Sequence, residues 1–304
     1  MFNDFSKLEV RTETIQEKSD LEKVLDMETK IIEMYEIYER FEHYSDYSGN
    51  EDDEYQSLYT AVQEKLANIK ITQEVLQKYI NARDNTEQNN QARIRGMYSA
   101  ALLEIISTKT PEIHTFIDGK NKKFNFLFYH IQNVKNLTLT NIQGDYILYK
   151  AGMNGSATNI TLQHITGENT LSYAGWNGGS AKNITLIDVI GKDTLEHTGL
   201  NGSAKNITLS NITGNWTLCN AGSDHGSAKN ITLNNITGNY ALENAGQNGS
   251  IQNILEENIL TEKQKRIISK IKKIVKTMHI LSLEEQTKMH EKIAELQNKI
   301  FAEK

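Results

Sequence analysis

Lys205-Asn-Ile-Thr-Leu-Ser-Asn-Ile-Thr-Gly214 and Lys229-Asn-Ile-Thr-Leu-Asn-Asn-Ile-Thr-Gly238 are two copies of one phrase, and their reading decides the fold. The phrase recurs five times between Val134 and Ile251, anchored on Asn136, Asn159, Asn183, Asn206 and Asn230, with Asn253 opening a partial sixth copy. Successive anchors lie 23 or 24 residues apart. A fixed period of this size marks structural units that stack on one another. The extra residue falls in one place, since Gly152 to Gly155 is three residues and Gly175 to Gly179 is four. A length change confined to one spot marks a turn.

Within Asn-Ile-Thr-Leu, apolar and polar residues alternate, the two-residue period of a strand with one buried face. β-branched Ile and Thr suit a pleated surface, and Gly, Asn or Ser bounds each run. Three runs per period predict a three-sided coil. The first turns Ile160 and Leu162 inward, the second reaches from near Ile165 to Leu171, and the third passes through Ala174 and Ala181. Stacked as parallel strands about 4.8 Å apart, five coils make a rod of roughly 25 Å.

Equivalent residues then form columns. An inner one is Leu148, Leu171, Leu195, Leu218 and Leu242, and a small-residue one is Ala157, Ala181, Ala204 and Ala228, where two faces meet too closely for a larger side chain. Asn141, His164, Asp188, Asn211 and Asn235 sit where the apolar spacing slips, as a polar ladder at a left-handed corner. Thr138, Thr161, Thr185, Thr208 and Thr232 form an outward column.

Over residues 124–258 the Asn-rich corners, Gly-punctuated turns and aliphatic interior resemble the parallel β-helix superfamily, the β-solenoids. The resemblance is architectural. It implies a short parallel β-helix, right-handed by the rule for parallel crossovers. It also implies an alternative function, because many β-helices bind or cleave polysaccharides. The Thr column resembles the face of ice-binding solenoids, but the neighbouring slot holds Thr140, Gln163, Ile187, Ser210 and Asn234 and gives no second column. β-propensity accounts for the threonines.

The 304-residue chain has one proline, Pro111, and one cysteine, Cys219. A single cysteine excludes an intrachain disulfide and fits a reducing compartment. The N-terminus lacks a secretory pattern and no run is long enough to span a bilayer, so the expectation is a cytoplasmic protein. Acceptor triplets such as Asn159-Ile-Thr follow from the repeat and call for no glycan. Charge is uneven: −9 over residues 1–110, −2 over 111–257 and +5 over 258–304. Ends of opposite sign invite intramolecular or head-to-tail contact.

Both ends read as helical. Val24, Met27, Ile31, Met34, Tyr38 and Phe41 trace one seam between about Leu21 and Tyr44. A second helix is expected from Tyr55 to Asn81, with Leu58, Val62, Leu66, Ile69, Leu76 and Ile80 on one side, and a third from Gln91 to Ser107. Together they predict an acidic three-helix bundle over 1–110. Residues 111–133 read as a linker and cap strand, with Lys123-Phe-Asn-Phe-Leu-Phe-Tyr129 as the lead-in coil closing the rod's first edge.

Residues 259–304 predict a basic helical hairpin covering the far end, with capping boxes at Thr261-Glu-Lys-Gln264 and Ser282-Leu-Glu-Glu285. Its first helix places Ile267, Ile268, Ile271, Ile274, Val275 and Met278 on one arc, and its second carries Leu283, Met289, Ile293, Leu296 and Ile300, so the apolar faces are expected to pack on each other and on the rod end. Lys265, Arg266, Lys272, Lys273 and Lys276 are the interaction candidates. They read as a solvated face, with an anionic membrane surface as the less favoured partner. No aromatic residue interleaves them, which argues against nucleic acid.

The strongest constellation for chemistry is Glu196, Cys219 and Glu243, at one slot of three adjacent coils, with His197 beside the first. A Cys near a His can be a nucleophile pair or a metal site. However, other coils fill these slots with Tyr149, Ser172, Lys150 and Asn220, the variability of an outward surface. No phosphate loop, paired-cysteine metal motif or calcium loop appears, so no cofactor or metal is expected. The sequence therefore predicts an α+β chain of about five β-helix coils between an N-terminal helical bundle and a C-terminal helical hairpin. Its expected role is a non-enzymatic scaffold whose helical ends contact protein partners or self-assemble; the alternative is a carbohydrate-binding or carbohydrate-cleaving protein.

Overall fold

Seven parallel strands stack in sequence order: β1 (Thr115–Lys123), β2 (Asn133–Gln143), β3 (Ser156–Thr166), β4 (Ser180–Ile190), β5 (Ser203–Thr213), β6 (Ser227–Thr237) and β7 (Ser250–Glu256). They belong to a computed structural model that describes residues 18–42, 51–256, 267, 269–271, 273–274 and 283–302. The fold is a parallel β-solenoid. Register follows the repeat, with Ile160 beside Ile184 and Thr161 beside Thr185, and so on along the stack. The strand count exceeds the repeat count because β1, Thr115-Phe-Ile-Asp, forms a rung without the repeated phrase.

Each long strand bends twice at left-handed residues. In β4 these are Asn183 (φ 57°) and Asp188 (φ 55°), equivalents of the anchor column and the corner column. Asn tolerates this conformation better than most residues. The anchors also form a ladder, in which each side-chain amide donates to the carbonyl of the preceding one. The distances are 2.7 Å from Asn159 to Asn136, 2.8 Å from Asn183 to Asn159 and 2.9 Å from Asn206 to Asn183. At the first rung Asn136 donates to Pro111 O instead. The corner column is also laddered, and His164 joins it at 3.3 Å from both Asn141 and Asp188.

Of the second and third runs expected of each coil, only the ends at Ile165 and Ala181 are strand, as the arms of the bent strands, and between Gly167 and Gly179 no strand forms. Their place is taken by overlapping tight turns in which every second residue is left-handed: Asn169, Leu171, Tyr173, Gly175 and Asn177. The turns close by bonds such as Ala174 N to Leu171 O and Trp176 N to Tyr173 O, both 3.2 Å. Other amides stitch the rungs, Leu171 N to Ile147 O of the preceding rung at 2.9 Å and Tyr173 N to Glu196 O of the following one at 2.7 Å. A left-handed Leu costs about 1–2 kcal/mol. Burying its side chain returns about 2 kcal/mol, and Leu148, Leu171, Leu195 and Leu218 are fully buried. Close stacking also makes one glycine column obligatory: a Cβ on Gly191 would stand 1.8 Å from Gly167 O.

Among the described residues four helices, not the expected three, precede the rod: α1 (Asp20–Glu42), α2 (Glu51–Lys65), α3 (Gln73–Ala82) and α4 (Asn90–Lys109). The helix expected over Tyr55–Asn81 breaks near Leu66–Thr72, because Thr72 caps α3 by accepting from Val75 N at 3.3 Å. α2 also starts at Glu51, ahead of the expected Tyr55. α4 is buried on nearly every side from Gly96 to Ser107, because it lies between the other helices and the first rung. Gly96 permits this approach, since a Cβ there would stand 2.2 Å from Phe126 O. The core runs without interruption from Val24 in α1 to Leu233 in β6.

The C-terminal helix α5 (Leu283–Ala302) does not cover the rod's far end, as the hairpin reading expected. It lies along the rod's side. Ile293 and Leu296 of α5 pack with Ile267 and Ile271 around Ile187 of β4, so the expected apolar pairing forms on the strand face. The physical reason is Ile187 itself, an outward Ile where other rungs carry polar residues. The Thr261–Gln264 capping box, Ser282 of the second box, and the end of the α1 seam at Tyr38 and Phe41 as side chains lie outside the described residues.

Candidate functional site

The turns set Glu196, Cys219 and Glu243 at one slot of successive rungs, so the constellation read from the sequence does assemble. Its chemistry is muted. The Cys219 thiol is buried, and burial followed by the charges of Glu196 and Glu243 pushes it up to about 11. A thiol at that value is protonated at neutral pH, which leaves little thiolate for nucleophilic attack. Burial raises the Glu196 carboxyl above its usual range and lowers the His197 imidazole below its own. His197 lies 3.4 Å from Glu196 and stacks on Tyr173 with ring centroids 4.5 Å apart. Among the described residues no group of three or more His, Cys, Asp or Glu could hold a metal ion.

Aromatic rings flank this slot. Tyr129 stacks on Tyr149 at 5.3 Å, Tyr149 meets Tyr173 at 5.5 Å, and Tyr173 meets Trp176 at 5.2 Å. Lys150 Nζ lies 5.7 Å from the Tyr149 ring and 5.5 Å from that of Trp176. Tyr129 and Tyr149 lie face to face, whereas Tyr149 with Tyr173 and Tyr173 with Trp176 meet at tilts of 58° and 59°. Sequence reading missed this because the rings occupy different slots, and only the turn geometry brings them together.

The outward Thr column faces outward but is covered. Thr138, Thr161, Thr185, Thr208 and Thr232 are all buried. Gln297 of α5 donates to Thr185 Oγ1 at 2.9 Å and Thr208 Oγ1 at 3.1 Å. Further toward the first rung, Thr138 Oγ1 lies 3.0 Å from His290 Nε2 of α5 and 3.0 Å from His114 Nε2 beside β1. The two imidazoles are 3.8 Å apart between centroids and both are buried. No motif pointed to these histidines.

At the N-terminal end, α1, α2 and the residues after α2 enclose an open groove of about 480 Å³. Its apolar lining includes Met27, Ile31, Leu66 and Ile69, Met34 is exposed, and the charged lining is Lys23, Lys30 and Lys65 with the single carboxylate Asp26. Nearby, Glu104 of α4 is buried and accepts from Tyr55 OH (2.7 Å), Asn133 Nδ2 (2.9 Å) and Gln132 N (3.1 Å), which ties the helices to the first rung.

Of the five basic candidates, Lys273 is described and exposed, whereas Lys265, Arg266, Lys272 and Lys276 lie outside the described residues. Among those described, no helix is long and apolar enough to cross a membrane. No protein-family model, curated protein or solved structure matches the chain.

Proposed function

We propose that this chain is a non-enzymatic interaction scaffold, a rigid solenoid spacer whose helical ends make protein contacts or self-assemble. One observation carries the reading: the lysine-lined apolar groove between α1 and α2. Its shape and chemistry suit the apolar face of an acidic amphipathic helix. The continuous core adds support, because it fixes this groove rigidly with respect to the rod. The protonated state of Cys219 favours a structural over a catalytic role for the turn face.

Cross-linking mass spectrometry of the full chain in native extract tests the proposal, comparing the parent with Met34→Asp/Lys30→Glu and with Trp176→Ala. Loss of cross-linked protein only in the groove variant supports it. Loss only in the Trp176 variant contradicts it.

A second reading is a carbohydrate-binding surface. It is favoured by Tyr173, Trp176 and Glu196 lying together on the turn face, where rings and a carboxylate can meet a sugar's C–H and hydroxyl groups. Counting against it, Tyr129 covers one face of Tyr149 and His197 one face of Tyr173. Oligosaccharide binding abolished by Trp176→Ala would establish this reading in place of the scaffold.

A further inference from the structure

His114 and His290 come from opposite ends of the chain, yet they meet over one hydroxyl. His114 immediately precedes β1 and is fully buried, and His290 lies in the middle of α5 at 3% exposure. Both present Nε2 to Thr138 Oγ1 at 3.0 Å. A threonine hydroxyl has one hydrogen, so it can donate to only one of the two rings. The satisfied arrangement has one imidazole donating to the oxygen and the other accepting from it, which requires the accepting ring to be neutral. His114 Nδ1 meets no hydrogen-bond partner in the protein, so a proton added there would be buried without an acceptor.

The buried carboxylates among the described residues, Glu28 and Glu104, are engaged elsewhere, by Tyr79 and Tyr55. On α5, Glu285, Lys288, Glu291 and Lys292 are all exposed. In the segment leading to β1, Lys109 and Glu112 are exposed, as is Lys135 of β2. Asp118 of β1 is engaged by Asn141 at 3.0 Å, at the corner of the coil. The immediate walls are therefore uncharged, and a second positive charge would face the first across 3.8 Å.

We propose that His114, Thr138 and His290 form an acid-release latch, in which protonation of the rings detaches α5 from the strand face and uncovers the Thr column. Burial holds both imidazoles well below the ordinary histidine range, and for His114 the facing His290 adds to the effect. The sign follows. Lowered histidine values in the docked state mean that docking is at full strength above about pH 6.5 and weakens as pH falls below it. Each ring contributes up to tenfold per pH unit. Between pH 6.5 and 5.0 the undocking constant should rise about 16-fold if one ring is protonated on release, and about 270-fold if both are. The second apolar anchor at Ile187 does not titrate, so it sets the constant but not its pH slope.

The test is hydrogen exchange of the full chain from pH 7.5 to 5.0, corrected for intrinsic rates, comparing the parent with His290→Gln and His114→Gln. The latch requires exchange in residues 283–302 of the parent to rise steeply below pH 6.5 while β3 to β6 stay protected. Each variant should lose part of that slope. An unchanged slope in both variants, a flat profile in the parent, or simultaneous loss of protection throughout the rod would each overturn it. If the variants do not fold, the ring proton resonances of the parent decide: two histidines titrating near 6.5 with α5 still protected refute the latch, and two that titrate only as α5 opens sustain it.

Discussion

Gln297 and Thr185 are 112 positions apart, and the side-chain amide of the first donates to the hydroxyl of the second at 2.9 Å within a fully buried contact. The same nitrogen reaches Thr208, so one residue of α5 spans two adjacent strands. Gln297→Ala should weaken docking of α5 by about 1–3 kcal/mol, because two buried hydroxyls lose their donor. Hydrogen exchange should accelerate in α5 and stay unchanged in β4 and β5. Equal acceleration in the strands would show that α5 and the rod open as one unit.

The asparagine ladder yields a paired prediction. Asn183 donates to Asn159 and accepts from Asn206, at a left-handed φ of 57°. Asn183→Gly loses both bonds and keeps the conformation at no steric cost. Asn183→Ala loses the bonds and adds about 1–2 kcal/mol of backbone strain. Denaturant unfolding should rank parent above Gly above Ala, and equal stability of the two variants would remove the strain from the account.

Acid should weaken the join between the helices and the rod through Glu51. The His130 imidazole first and the Lys150 ammonium next hold this carboxyl far below the usual carboxylate range. A lowered carboxylate value contributes stability above about pH 4.5, lost as pH falls below it. The stability difference between the parent and Glu51→Gln should therefore be largest near neutral pH and shrink toward pH 3. Unfolding curves at pH 7, 5, 4 and 3 measure it, and a constant difference would contradict the pairing.

Cys219 should be inert in the folded chain. With its thiol pushed up to about 11, less than about 1% is thiolate at pH 8. Ellman's reagent should label it at least about 100-fold more slowly than a free cysteine thiol. Full labelling should follow unfolding in guanidinium. Rapid labelling of the folded chain would return Cys219 to the list of candidate nucleophiles.

The parts of the fold written as alternation were legible in the sequence. Ile184-Thr-Leu186 announces a strand with two residues in and one out, and the repeat fixes its register with Ile160 and Ile207. The turn side was not legible, because Leu171 and Tyr173 carry no compositional mark of a left-handed residue and their conformation follows from the stack around them. The break between α2 and α3 was hidden for a similar reason: Leu66 and Leu76 continue one apolar side across it. The position of α5 hinged on a single deviation, Ile187, which reads as a flaw in a column until the helix that covers it is known. The Glu196, Cys219 and Glu243 alignment was visible from spacing alone, whereas the burial that silences Cys219 was not.

Because α5 is pinned at Thr138 by residue 290 and at Thr185 and Thr208 by residue 297, it works as a gauge laid along the rod. Seven helical residues advance about 10.5 Å. The interval from β2 to the gap between β4 and β5 is two and a half strand spacings, about 12 Å. The two lengths agree only for this number of rungs between the pins. A whole coil duplicated after β5 would leave both pins seated, whereas the same coil inserted between β2 and β4 would move Thr185 into the place of Thr208 and carry Ile187 one rung past the apolar face of α5. The solenoid can thus lengthen freely at its far end, while Ile187 ties its first rungs to a fixed count.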